Sequence, residues 1–147
     1  MLEIELRHAP DPAREVLTKV ALDYEQRDKG RQKLVAENGE ELRLFLERGK
    51  VLQIGELLEA KTGELVRVIG AIEEVCEARC EDWQTFAKAC YHLGNRHVRL
   101  QVGDRWLRMK PDHVLEQMLE LLGLKLSHSQ QIFEPESGAY SHGHHAH

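Results

Sequence analysis

From Val16 to Ile69, apolar residues recur in short alternating runs separated by turn residues, the pattern of antiparallel strands with one face toward solvent. The clearest case is Lys33–Glu37, then Asn38-Gly39, then Glu40–Leu46, where Leu42, Leu44 and Leu46 share one face. Both Asn and Gly accept positive φ, so this spacing predicts a hairpin closed by a type I′ turn. Turn residues at Arg48-Gly49-Lys50 and Thr62-Gly63 bound two more strands, at Val51 to Ile54 and Leu65 to Ile69. Residues 1–70 are therefore expected to form a small all-β domain.

Past Ala71 the period changes. Glu74 to Cys80 alternates like a strand, and Asp82 then offers an N-cap for a helix with Trp83, Phe86, Ala87, Cys90 and Leu93 at helical spacing, stopped by Gly94. His97 to Val102 and Arg105 to Met109 flank Gly103-Asp104, a second hairpin signal. Pro111-Asp112 opens another helix, with Leu115, Met118, Leu119 and Leu122 on one face and Gly123 at its end. Lys125 to Phe133 supplies a last strand. The order strand, helix, strand, strand, helix, strand predicts an α+β domain of ferredoxin-like type over residues 71–133. From Glu134 onward apolar periodicity is lost, so residues 134–147 are expected to be a flexible, histidine-containing tail.

Composition narrows the partners. The 147 residues carry 20 Lys and Arg against 25 Asp and Glu, a formal charge of -5, which provides no basic field for a phosphate backbone and argues against nucleic acid. No apolar run approaches the ~20 residues that span a bilayer, and the first residues lack the pattern of a signal peptide, so a cytoplasmic protein is expected. No Walker A loop, G-x-S-x-G elbow, G-x-G-x-x-G turn or H-E-x-x-H helix is present, and nothing indicates an enzyme.

Histidine carries the chemical signal. Of nine histidines, His142, His144, His145 and His147 fall within the last six residues. Neutral imidazole suits Ni, Zn and Cu, and Gly and Ala between the rings let several gather on one ion. A purification tag would read similarly, although tags are usually unbroken runs. His97 follows the helix stop Gly94 and is expected on the outer face; one exposed ring cannot hold an ion, but a two-fold contact would set it beside its copy. His113, in the first turn of the last helix, is either a metal ligand or a plain surface residue. His8, His92 and His128 read as surface residues. Cys76, Cys80 and Cys90 read as small core residues, because no C-x-x-C pair exists.

The segment Tyr91-His-Leu-Gly-Asn-Arg-His97, the helix start Asp112-His-Val-Leu115 with Met118 and Leu119, the closing Phe133-Glu-Pro-Glu-Ser-Gly-Ala-Tyr140 and the histidine tail together resemble the UreE family of urease accessory proteins. The resemblance runs end to end. It implies a homodimeric nickel metallochaperone that delivers Ni(II) to apo-urease together with other accessory proteins, including a GTPase. It implies His97 as the nickel ligand at the dimer centre, His113 as an auxiliary ligand, and the tail histidines as variable further ligands able to take Zn(II) or Cu(II) as well. The tail is shorter than the long histidine runs of some members, which suits delivery rather than storage. It also implies a peptide-binding role for the first domain. Two other readings stay open, a peptide-binding assembly module with incidental metal affinity and a general Ni, Zn or Cu buffer.

Overall fold

The computed structural model describes residues 1–137, so residues 138–147 of the expected tail, all four of its histidines among them, lie outside the described residues. The chain divides into two compact units, one built on Met1–Ala71 and one beginning at Ile72. Among the described residues no helix is long and apolar enough to cross a membrane.

The first unit contains β1 (Leu2–His8), β2 (Thr18–Leu22), the single-turn helix α1 (Tyr24–Arg27), β3 (Arg31–Val35), β4 (Glu41–Phe45), β5 (Leu57–Ala60) and β6 (Leu65–Gly70). Its strands form one sheet in the order β2-β6-β5-β1-β4-β3. The sheet is mixed rather than purely antiparallel, since β1 pairs with β4 and β2 with β6 in parallel. Leu2, Ile4, Leu42, Leu44, Leu58 and Val66 bury the face that their alternation marks out. β1, which the turn-bounded pattern of Val16 to Ile69 did not include, sits in the interior of the sheet.

Two local expectations fail here for identifiable reasons. The β3–β4 hairpin does close at Asn38-Gly39, but only Gly39 has positive φ, and Gly39 N–H donates to Ala36 O while Ala36 N–H donates to Glu40 O. That is a type I turn followed by a left-handed glycine, not a type I′ turn. Val51 to Ile54 is a loop, not a strand. The nearly buried Glu56 carboxylate binds the Arg7 guanidinium through two bonds of 2.7 and 2.5 Å and also accepts the Gln53 N–H, while Arg7 reaches Lys50 O and Val51 O. Val51 O and the Gln53 N–H are thereby bonded to the ion pair, the Leu52 N–H donates to Arg27 O at 2.9 Å, and the Leu52 side chain plugs the core.

The second unit contains β7 (Ile72–Arg79), α2 (Trp83–Asn95), β8 (Gln101–Val102), β9 (Trp106–Met109), α3 (His113–Leu122) and β10 (Lys125–Ile132). The element order is the expected one, and the strands lie in the order β10-β7-β9-β8 with every neighbouring pair antiparallel. Phe86, Ala89 and Leu93 of α2 and Leu119 of α3 pack with Cys76, Ala78, Leu107 and Met109 of the sheet. Asp82 and Asp112 cap the helices as expected, each accepting a backbone N–H from the third residue on, at 2.9 and 3.0 Å. Gly103 is required at the β8–β9 turn, because a Cβ there would meet the Trp106 ring at 2.0 Å.

Candidate metal-binding site

The end of α2 lies beyond the glycine expected to stop it. Gly94 is still helical, with φ in the ordinary negative range, and the helix runs on to Asn95. The chain then reverses at His97, whose φ of 58° places it in the left-handed region. His97 N–H donates to Gly94 O at 3.0 Å and Val98 N–H to Leu93 O at 3.1 Å. This is the Schellman pattern, in which the last helical carbonyls are satisfied by the residues that turn away. α3 ends the same way, with Gly123 N–H donating to Glu120 O and Leu124 N–H to Leu119 O, but the left-handed residue there is glycine, with φ of 104°. The turn also explains why the expected strand from His97 begins only at Gln101: residues 96–100 are spent leaving the helix.

Glycine is the unstrained occupant of such a position, and an imidazole-bearing residue gives up about 1 kcal/mol to stand there. Leu93 is fully buried and Val98 packs on the same cluster, so the chain is tethered on both sides of the turn while His97 is exposed. Burying a leucine contributes about 1.5–3 kcal/mol, which outweighs the strain.

The described histidines divide by what their rings touch. His8 Nε2 lies 2.8 Å from Glu59 Oε1, His128 Nε2 lies 2.7 Å from Glu116 Oε1, and the His92 ring meets Tyr91 edge-on at 5.4 Å. The rings of His97 and His113 have no such partner among the described residues, and both residues are exposed. His113 is the first residue of α3, directly after the cap Asp112. Neither belongs to any group of three ligating side chains among the described residues, so the chain by itself offers single imidazoles there and not a finished cage. His142, His144, His145 and His147 lie outside the described residues.

The sequence reading missed one such group. Cys76, Glu116 and His128 bring a sulfur, a carboxylate oxygen and an imidazole nitrogen within 4.8 Å of one another. Cys76 lies in the core as expected and His128 is exposed as expected, but β7 and β10 pair with Cys76 directly opposite His128. Burial, then the charge of Glu116 and a hydrogen bond to it, push the Cys76 thiol up to about 12. Glu116 is fixed from its other oxygen, which accepts the Asp112 N–H at 2.9 Å. The three positions are 40 and 12 residues apart, so strand register is the signal that would have found them.

Family models match both units. The model described as UreE urease accessory protein, N-terminal domain, covers residues 4–71, and that of the C-terminal domain covers residues 73–147. A urease accessory protein UreE of Marinomonas sp. (strain MWYL1) is 59% identical over 150 residues, spanning 100% of both chains. The protein of that name from Psychromonas ingrahamii is 46% identical, over 100% of this chain and 99% of its own. That from Alteromonas mediterranea is 47% identical over 87% of this chain and 83% of its own.

The strain at the end of α2 is measurable. Relieving the left-handed residue in His97→Gly should stabilise the protein by about 1 kcal/mol, read in urea unfolding as a higher midpoint at unchanged slope. His97→Ala keeps the strain and should stay within about 0.5 kcal/mol of the parent. Equal midpoints for the two variants would contradict the turn geometry.

Proposed function

The chain belongs to the UreE urease accessory protein family, and on that premise we propose that it is a nickel metallochaperone, binding Ni(II) and delivering it to apo-urease while the urease metallocentre is assembled. The observation that carries the reading is His97: an exposed, unpartnered imidazole held on a strained turn in the Gly-Asn-Arg-His segment. The second unit is read as ferredoxin-like from its strand order and helix placement.

A carrier must hold its ion against competitors and still release it. One imidazole does too little and a closed four-ligand cage too much. In this reading the protein is a homodimer in which His97 meets its copy across a two-fold axis, so that each chain contributes one ring to a shared ion. Support comes from surface otherwise unexplained in a single chain: Tyr91 is 68% exposed on α2 and Leu121 85% exposed on α3. Gly94 sits one turn before His97 with nothing within 4 Å of an added Cβ, which leaves room beside the imidazole for a second copy.

His113 and the tail residues His142, His144, His145 and His147 then complete the coordination and pass the ion on. One ring lets go as an acceptor's ligand enters, so no step requires a bare ion. Zn(II) and Cu(II) fit the same nitrogens, and affinity alone ranks Cu(II) above Ni(II), so nickel is selected by coordination number, partner and supply. The partners in this reading are apo-urease and its accessory proteins, the GTPase among them, in the cytoplasm. The first unit serves as the surface that contacts them.

Titration calorimetry with Ni(II) tests the role of His97. The parent chain should bind about one ion per dimer tightly, and His97→Ala should lose at least tenfold in affinity, about 1.4 kcal/mol, with a matching loss in a urease activation assay. Tight binding that survives the substitution would remove His97 from the site, and full activation by the variant would favour an assembly module with incidental metal affinity. The ligand chemistry also sets a pH window. Protons compete for imidazole nitrogen near its ordinary pKa of about 6.5, so nickel followed by equilibrium dialysis should leave as pH falls from about 6 to 5. Retention well below that range would point to carboxylate ligands.

A further inference from the structure

Three side chains that the nickel-carrier reading leaves unused meet inside the second unit. Cys76 of β7 and His128 of β10 stand opposite each other in antiparallel register, so their side chains leave the sheet on the same face. Cys76 shares a buried cluster with Leu119 of α3, and Glu116 lies one turn before Leu119 on the same side of that helix. A strand, a second strand and a helix thus each bring one donor to a common point. We propose that Cys76, Glu116 and His128 form a binding site for a borderline divalent transition-metal ion, Zn(II) suiting the set best, distinct from the cargo site at His97.

The donor set fits such an ion chemically. A thiolate and an imidazole select for Zn(II) and its neighbours over Mg(II) or Ca(II), and thiolate plus carboxylate balance the two positive charges. Three protein donors leave one position for water. Metal bonds of about 2.0–2.3 Å set donors roughly 3.4 Å apart, so the atoms that now lie up to 4.8 Å from one another draw together by roughly 1 Å, while His128 Nε2 and Glu116 Oε1, now 2.7 Å apart, open by a smaller amount. On binding, the Cys76 S–H proton leaves to solvent, the proton between His128 Nε2 and Glu116 Oε1 passes through solvent to His128 Nδ1, and the ion takes its place.

The surroundings are those of a supported site. The second oxygen of Glu116 is held by the Asp112 N–H, which orients the carboxylate. Met109, opposite Cys76 on β9, and Leu119 of α3 share the buried cluster of Cys76 and are fully buried, while the His128 side chain is 49% exposed and opens a path for entry. The His8–Glu59 pair of the first unit provides an internal contrast: its separation is similar, 2.8 Å, but among the described residues it gathers no third donor.

Cobalt(II) is the probe, because a cobalt–thiolate bond gives a charge-transfer absorption that imidazole and carboxylate ligands lack. The full chain, reduced and under anaerobic conditions, should show that absorption saturating with about one ion per chain. Cys80→Ser, Cys90→Ser and His97→Ala should retain it and Cys76→Ser should abolish it. His128→Ala, at a half-exposed position that leaves the core intact, should bind at least about tenfold more weakly. Absence of the absorption in the parent, its persistence in Cys76→Ser, or unchanged affinity in His128→Ala would overturn the proposal. Because His97→Ala is read by nickel calorimetry and this site by cobalt–thiolate absorption, either can fail without the other.

Discussion

The termination of α2 is the constraint on which the exposed chemistry of the second unit depends. A helix ending in a Schellman turn needs one residue in the left-handed region, and the strongest candidate, Gly94, is used inside the helix instead. The turn falls three residues later, on His97. Leu93 before it and Val98 after it are both anchored in the core, so the imidazole is driven outward by the packing of its neighbours. α3, with Gly123 at the matching position and the same pair of hydrogen bonds, shows the relaxed version of the motif within the same unit. About 1 kcal/mol of backbone strain at an exposed histidine is the kind of local conflict expected where function rather than stability sets the residue.

The unit carries two sorts of donor arrangement that differ in exposure. At His97 and His113 the rings are single, solvated and unpartnered among the described residues, which suits ligand exchange. At Cys76, Glu116 and His128 the donors come from three elements fixed by register and helix packing, which suits retention. An ion held by the first set is accessible to an incoming ligand; one held by the second would have as one donor Cys76, a member of the buried cluster with Met109 and Leu119. The physical difference is how many of the ligands are already assembled by the fold.

Much of the second unit was legible in the sequence because its signals are local. Asp82 and Asp112 cap where they were expected, Gly123 ends α3, and helical spacing identified Phe86, Leu93 and Leu119 as core. His97 reads as exposed from sequence, but the sequence also places it in a strand from His97 to Val102 where a helix-terminal turn exists. The choice between Gly94 and His97 depends on how Leu93 and Val98 pack, which no window of a few residues contains. The same limit explains the first unit, where a part-buried Arg7–Glu56 pair, 49 residues apart, holds Val51 to Ile54 as a loop. It explains the missed Cys76–Glu116–His128 group as well, since β7, α3 and β10 were each foreseen and only their register joins the three donors.

In the proposed carrier, His97 is the ring that its turn sets apart to hold the ion. Imidazole nitrogen–proton correlation spectra of the full chain during sub-stoichiometric addition of Ni(II) read this ring by ring, because paramagnetic nickel broadens the signals of the rings it touches. The His97 signals should vanish at less than one ion per chain, while those of His8 and His92 persist. Loss of other imidazole signals with His97 left sharp would exclude His97 from the site.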